Sequence, residues 1–157
     1  QFESAKLLLA KIEKRQNELN LETKITEHKP LKDEQGKAVG TELDEIKAPS
    51  GIAIDDRENI YSASFAENTI YKLTTFGQKS IFSNSDLIQG PIGLAIDKEN
   101  NIYIANYSSN SIIKITQEGN TSIFANINKP YCITYDSSKN RLYVTEQETN
   151  KLVKFDL

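Results

Sequence analysis

The side chains with the most to offer chemically are Ser64, Asn106 and Glu146, each closing a stretch of the same design: IYSAS at 60–64, IYIAN at 102–106 and LYVTE at 142–146. They stand 42 and then 40 residues apart (106 − 64 and 146 − 106). Three polar residues at equivalent places can ring a ligand or, with oxygen donors only, a hard cation such as calcium. The competing role is structural, as polar caps on strand ends. A second set, Asp55, Asp97 and Asp136, recurs with them. Each stands where a strand enters a turn, so these carboxylates are expected to accept N–H bonds from the turn backbone.

Other chemistries lack their parts. His28 is the only histidine and Cys132 the only cysteine. No Ser-His-Asp or Cys-His set, Cys/His metal cluster or internal disulfide can be assembled, and no Gly-rich phosphate loop is present. No catalytic residue is assigned. His28 is expected at the surface, and Cys132, which stands where the other copies have Gly51 and Gly93, is expected to be a small buried residue.

These side chains must be positioned by a repeat. Pro49-Ser50-Gly51-Ile52-Ala53-Ile54-Asp55 matches Pro91-Ile92-Gly93-Leu94-Ala95-Ile96-Asp97, and the register continues through Asn59/Asn101, Tyr61/Tyr103, Asn68/Asn110, Lys72/Lys114, Gly77/Gly119 and Phe82/Phe124. A third copy follows from Pro130, offset by 39 from Pro91, with Tyr143, Asn150 and Lys154 in register after one inserted residue. A period near 40 with several short strands per unit is the signature of a propeller array. Four strands are expected per unit, with inner strands at 51–54, 93–96 and 132–135. Second strands follow at 60–63, 102–105 and 142–145, and third strands at 69–73, 111–116 and 151–155. Outer strands are expected at 79–82 and 121–125, and the third copy reaches Leu157 before its own. Tyr61, Tyr103 and Tyr143 are expected to be packing residues. Phe65, Tyr107 and Tyr131 are expected on the exposed loop surface, where aromatic side chains suit contact with a partner.

The rest of the chain differs in character. Residues 1–20 read as an amphipathic helix, with Phe2, Ala5, Leu9, Ile12 and Leu19 at alternating steps of three and four once Gln16 fills the one polar position, and no Gly or Pro. Phe2, Leu9, Ile12 and Leu19 are its expected partner-binding stripe. Residues 21–48 form a charged linker broken by Pro30, Gly36 and Gly40, with short strands expected at Lys24–Thr26 and Leu43–Ile46. The repeat region, 49–157, divides into 49–90, 91–129 and 130–157.

With 19 basic and 22 acidic residues interspersed, net charge −3, the sequence shows no basic patch for a phosphate backbone, and nucleic acid is not an expected partner. No apolar run is long enough to span a membrane as a helix. The first residue is Gln1, not Met, which is expected of a processed product or a piece of a larger assembly.

The pattern P-x-G-[IL]-A-I-D, then N-I-Y-x-A, then N-x-I-x-K, resembles the NHL repeat and related six-bladed β-propellers. These include the gluconolactonase-like and streptogramin-lyase-like sets. The resemblance covers Pro49 to Leu157 and implies a mainly β fold of about three four-stranded blades in an incomplete ring. It also implies that a protein partner or self-association completes the ring. In the gluconolactonase-like enzymes Glu, Asn and Asp from different blades build a metal site, which would map onto Asn106 and Glu146, with calcium as the expected ion of that alternative. The favoured expectation is a non-catalytic, protein-binding module within a multi-subunit assembly, periplasmic or secreted. A metal-dependent lactonase-like or lyase-like enzyme is the alternative, and a structural ring that holds subunits in register is a third.

Overall fold

The computed structural model describes residues 30–32, 36, 38–41 and 43–157. The chain divides into two compact units, 1–43 and Asp44–Leu157. In the first, β1 (Pro30–Lys32) and β2 (Ala38–Thr41) form an antiparallel hairpin, and Gly36 in its connection takes a left-handed φ of 77°. The expected helix over 2–20, with Phe2, Leu9, Ile12 and Leu19, lies outside the described residues. So do the strand expected at 24–26 and His28. The strand expected at Leu43–Ile46 is instead irregular backbone. The reason is local: the Glu45 N–H donates to the Asp44 carboxylate at 2.7 Å and its carbonyl accepts Lys79 Nζ at 2.7 Å, so side chains take the bonds a neighbouring strand would make.

The second unit is three antiparallel meanders in chain order. The first sheet comprises β3 (Pro49–Ile54), β4 (Ile60–Ser64), β5 (Thr69–Leu73) and β6 (Lys79–Ser83). The second comprises β7 (Pro91–Ile96), β8 (Ile102–Asn106), β9 (Ser111–Ile115) and β10 (Thr121–Asn126). The third has three strands, β11 (Pro130–Asp136), β12 (Arg141–Glu146) and β13 (Lys151–Asp156). Each opening strand begins at proline, whose missing N–H is tolerated at a strand start. Each also carries a register irregularity just after it, between Pro49 and Ile52, Pro91 and Leu94, and Pro130 and Ile133.

The sheets stack face to face through side chains alternating along the strands. Tyr61, Ala63 and Ile70 of the first meet Leu94, Ile102, Ile104 and Ile113 of the second around fully buried Ile88. On its other face the second sheet presents Ala95, Tyr103, Ala105 and Ile112 to Ile133, Leu142 and Val144 of the third. Phe82 and Phe124 stand edge-on to Tyr61 and Tyr103, at 5.0 and 5.2 Å between ring centroids. Lys72 and Lys114, which pair across the strands with those tyrosines, lie over the same rings at 5.4 Å. A cation over an aromatic face is what the recurring Tyr and Lys of the repeat produce.

The opening strands approach one another so closely that glycine is required. A Cβ on Gly51 would lie 2.1 Å from the Ile92 carbonyl oxygen, and one on Gly93 would lie 2.5 Å from that of Tyr131. Cys132 holds the same place in the third sheet but is exposed, correcting the expectation that it is buried, because among the described residues of 44–157 no further opening strand follows to approach it as β7 approaches Gly51 and β11 approaches Gly93. The outer faces of the stack are open in the same sense. Ile52 is 63% exposed where its counterpart Leu94 is 6% exposed, and Leu152 is 70% exposed where its counterpart Ile112 is fully buried.

Candidate functional site

Ser64, Asn106 and Glu146 occupy the same position in their own sheets, and each ties down the segment leading into that sheet. Ser64 Oγ donates to the Lys47 carbonyl at 2.6 Å. The Asn106 side-chain oxygen accepts the Gln89 N–H at 2.7 Å, while its Nδ2 donates to the Leu87 carbonyl at 2.7 Å and to the hydroxyls of Ser109 and Ser111. Asn106 is fully buried and its amide is satisfied from both ends. Glu146 accepts the Asn128 N–H at 3.2 Å through Oε1. Among the described residues no group of three or more His, Cys, Asp or Glu side chains is arranged to hold a metal ion.

A parallel set of bonds explains the recurring asparagines. Asn68, Asn110 and Asn150 follow the second strands with φ of 51°, 55° and 56°, a left-handed conformation that asparagine tolerates better than most residues. Asn68 Oδ1 then accepts the Gly90 N–H at 2.7 Å, and Asn110 Oδ1 the Lys129 N–H at 3.0 Å. The repeat needs these residues to fasten one sheet to the next. The sequence marked the Asn positions but not this bond, which spans about 20 residues and ties each sheet to the connection leading into the next.

At the opposite end the aspartates organise turns. Asp55 accepts N–H bonds from Arg57 at 3.0 Å and Asn59 at 2.8 Å, and takes the Tyr61 hydroxyl at 3.2 Å. Asp97 repeats the arrangement with Glu99, Asn101 and Tyr103 at the same distances. Asp136 takes the Ser138 N–H and hydroxyl. Burial opposes ionisation of Asp55, but the bonds from Asn59, Arg57 and Tyr61 outweigh it and leave its pKa below the ordinary value. Burial and the adjoining Asp55 charge push the Tyr61 phenol up to about 12, and the same causes, with Asp97 as the charge, raise Tyr103. A small cavity of about 90 Å³ beside this turn is lined by Asp55, Tyr61, Lys72 and Asn100.

Two features at the loop end are left over from folding. One is a cleft of about 560 Å³ between the second and third sheets, lined by Asn110, Asn126, Asn128, Glu146, Val153 and Phe155 among others. The other is an aromatic row. Phe65 and Tyr131 are 42% and 43% exposed, and Tyr107 is half-buried between them in chain order. Tyr107 and Tyr131 meet edge to face at 6.3 Å, and Lys129 Nζ lies 4.7 Å from the Tyr107 ring centre. Phe65 borders Gly90, whose carbonyl accepts the Tyr107 N–H, so the three aromatics, which belong to three different copies, follow one another along the same end. Lys129 was not singled out by sequence; only the contact with Tyr107 reveals it.

No family model and no curated protein matches the chain significantly. Solved structures do. A nidogen/laminin complex aligns with a TM-score of 0.65 at 19% identity, covering 70% of this chain and 44% of that one. Virginiamycin B lyase from Staphylococcus aureus aligns with a TM-score of 0.52 at 19% identity over 69% of this chain and 41% of the lyase. The gluconolactonase XC5397 from Xanthomonas campestris aligns with a TM-score of 0.60 at 12% identity, covering 68% and 37%. This chain thus spans less than half the length of each. At such identities the likeness speaks for fold alone, and with the three stacked meanders it shows that residues 49–157 are a partial β-propeller of about three blades.

Proposed function

We propose that the chain is a non-catalytic propeller module that binds another protein through its loop end. The observation that carries this reading is the row Phe65, Tyr107, Tyr131 with Lys129, in which three successive blades place exposed Phe65 and Tyr131 beside half-buried Tyr107 and Lys129 at one surface. Aromatic side chains supply large contact area at low entropic cost and are enriched among the residues that dominate protein interfaces. A rigid β scaffold below them holds that surface in place before a partner arrives, which lowers the cost of binding. The open faces at Ile52 and Leu152 support the same reading, since apolar surface whose counterparts are buried elsewhere in the stack favours association.

The metal-dependent enzyme reading draws less support. Asn106, one of its two expected ligands, has its amide engaged by Gln89, Leu87, Ser109 and Ser111. Native mass of the particle in source extract provides the test. The unmodified chain is expected in a complex heavier than itself, and the triple variant Phe65→Ala, Tyr107→Ala, Tyr131→Ala is expected to be released from it. Phe76→Ala, which removes an exposed aromatic from the opposite end, should leave the complex intact. A monomeric mass for the unmodified chain, or a complex that the triple variant does not disturb, would refute the proposal.

A further inference from the structure

The second interblade gap contains a carboxylate that folding does not fully use. With the third copy offset by 39, Ile88 falls on Ile127, Gln89 on Asn128 and Pro91 on Pro130, so Ser85, Asp86 and Leu87 have no counterpart after Asn126. In the first gap those residues bring the Leu87 carbonyl to Asn106. In the second, Glu146 keeps only the equivalent of the Gln89 bond, from Asn128 to Oε1, and Oε2 has no hydrogen-bond partner among the described residues. Yet Glu146 is only 8% exposed. Lys151, paired with it across the strands, is exposed and forms no ion pair with it among the described residues.

Oε2 reaches solvent through the neighbouring cleft, where a hydrogen-bond donor or cation can meet it. The three-residue shortening also opens the cleft of about 560 Å³ into which Glu146 faces, within the size range of small-molecule sites. Asn110, Asn126 and Asn128 supply polar groups around it, and Val153 and Phe155 supply an apolar wall. Glu146 is the one carboxylate lining it, too few for a hard divalent cation, which takes six or more oxygen ligands.

We propose that this cleft binds a primary ammonium group carried on a short apolar or aromatic body. The ammonium donates to Glu146 Oε2 and the body lies against Val153 and Phe155. A free amine and the lysine side chain of a protein offer the same chemistry. Proton–nitrogen NMR titration of the full chain tests the assignment, with 2-phenylethylammonium as the probe and 2-phenylethanol as its neutral isostere. Saturable shifts are expected at the amides of Asn128, Glu146 and Val153, with the alcohol at least tenfold weaker. Glu146→Gln should weaken the ammonium at least tenfold. Inserting Ser-Asp-Leu between Asn126 and Ile127, which restores the loop length of the first gap, should abolish binding in a chain whose spectrum otherwise stays dispersed. Running Nα-acetyl-lysine methylamide in parallel separates the sources: tighter binding than the phenyl probe points to a protein lysine, weaker to a free amine. Absence of shifts with both ammonium probes, equal binding of amine and alcohol, or binding unchanged by either variant would overturn the proposal. So would calcium chloride producing shifts that neither ammonium produces.

Discussion

The gap between the first and second blades and the gap between the second and third are built on one plan and finished differently. Both are lined by alternating apolar side chains and bridged by a backbone N–H bonded to the residue that ends the second strand. Both are tied by an asparagine in the left-handed conformation. In the first gap a seven-residue connection, 84–90, seals the end and satisfies Asn106. In the second, a three-residue connection, 127–129, leaves a cleft and a half-satisfied Glu146. What the copies share holds the blades together, and where they differ a cleft stays open.

The contrast is broken most severely at the opening strands. Gly93→Ala places a methyl group 2.5 Å from the Tyr131 carbonyl oxygen, where backbone must move, and is expected to destabilise by about 1–3 kcal/mol or more. Cys132→Ala, at the same place in the third blade, should change stability by less than about 0.5 kcal/mol, since that side chain is exposed. Urea denaturation of both variants measures the difference; equal losses would mean that the third blade's outer face is covered. Core truncation sharpens the same point. Ile112→Ala removes a fully buried side chain and should cost about 2–5 kcal/mol, whereas Leu152→Ala at the equivalent exposed position should cost little.

A smaller effect separates the tyrosines. Tyr61→Phe loses the bond to Asp55 and should cost about 0.5–1.5 kcal/mol. Tyr143→Phe has no described bond to Asp136 to lose. The pH profile carries the same distinction. Because the folded Tyr61 pKa is raised, the neutral phenol is favoured in the folded state. Its stabilising contribution is complete below the ordinary tyrosine pKa near 10 and is lost as pH rises from there through about 12. Alkaline unfolding monitored by circular dichroism should therefore shift upward in Tyr61→Phe, and an unchanged profile would contradict the assignment. Least affected should be Arg141→Ala, which removes the surface pair with Asp156, expected to contribute about 0–1 kcal/mol and to fade with added salt.

Much of this was legible in the sequence, for a physical reason. Pro91, Gly93, Asp97, Asn101, Tyr103 and Asn110 match the first copy because each meets a demand that the first two blades share: a donor-free strand start, a close backbone approach, a turn acceptor, its side-chain partner, a core ring and a left-handed residue. Periodicity therefore revealed the blades and the places of their strands. Leu43–Ile46 was misread because strand-like alternation says nothing of whether a neighbouring strand is available, and Lys79 takes its acceptors instead. Cys132 was misread because the pattern supplies a place in the blade but not whether another blade follows it. The cleft was encoded as an offset of 39 where the first offset was 42, yet a length difference acquires meaning only when Leu87 is seen to serve Asn106.

The central claim, that function sits at the loop end where the copies differ, is tested most directly by site-specific photo-crosslinking in source cells. A photoreactive residue would be placed in turn at Phe65, at Tyr131 and, at the opposite end, at Phe76. The account predicts one discrete adduct with the same protein from Phe65 and Tyr131 and none from Phe76. Adducts formed chiefly from Phe76, or from none of the three, would contradict it.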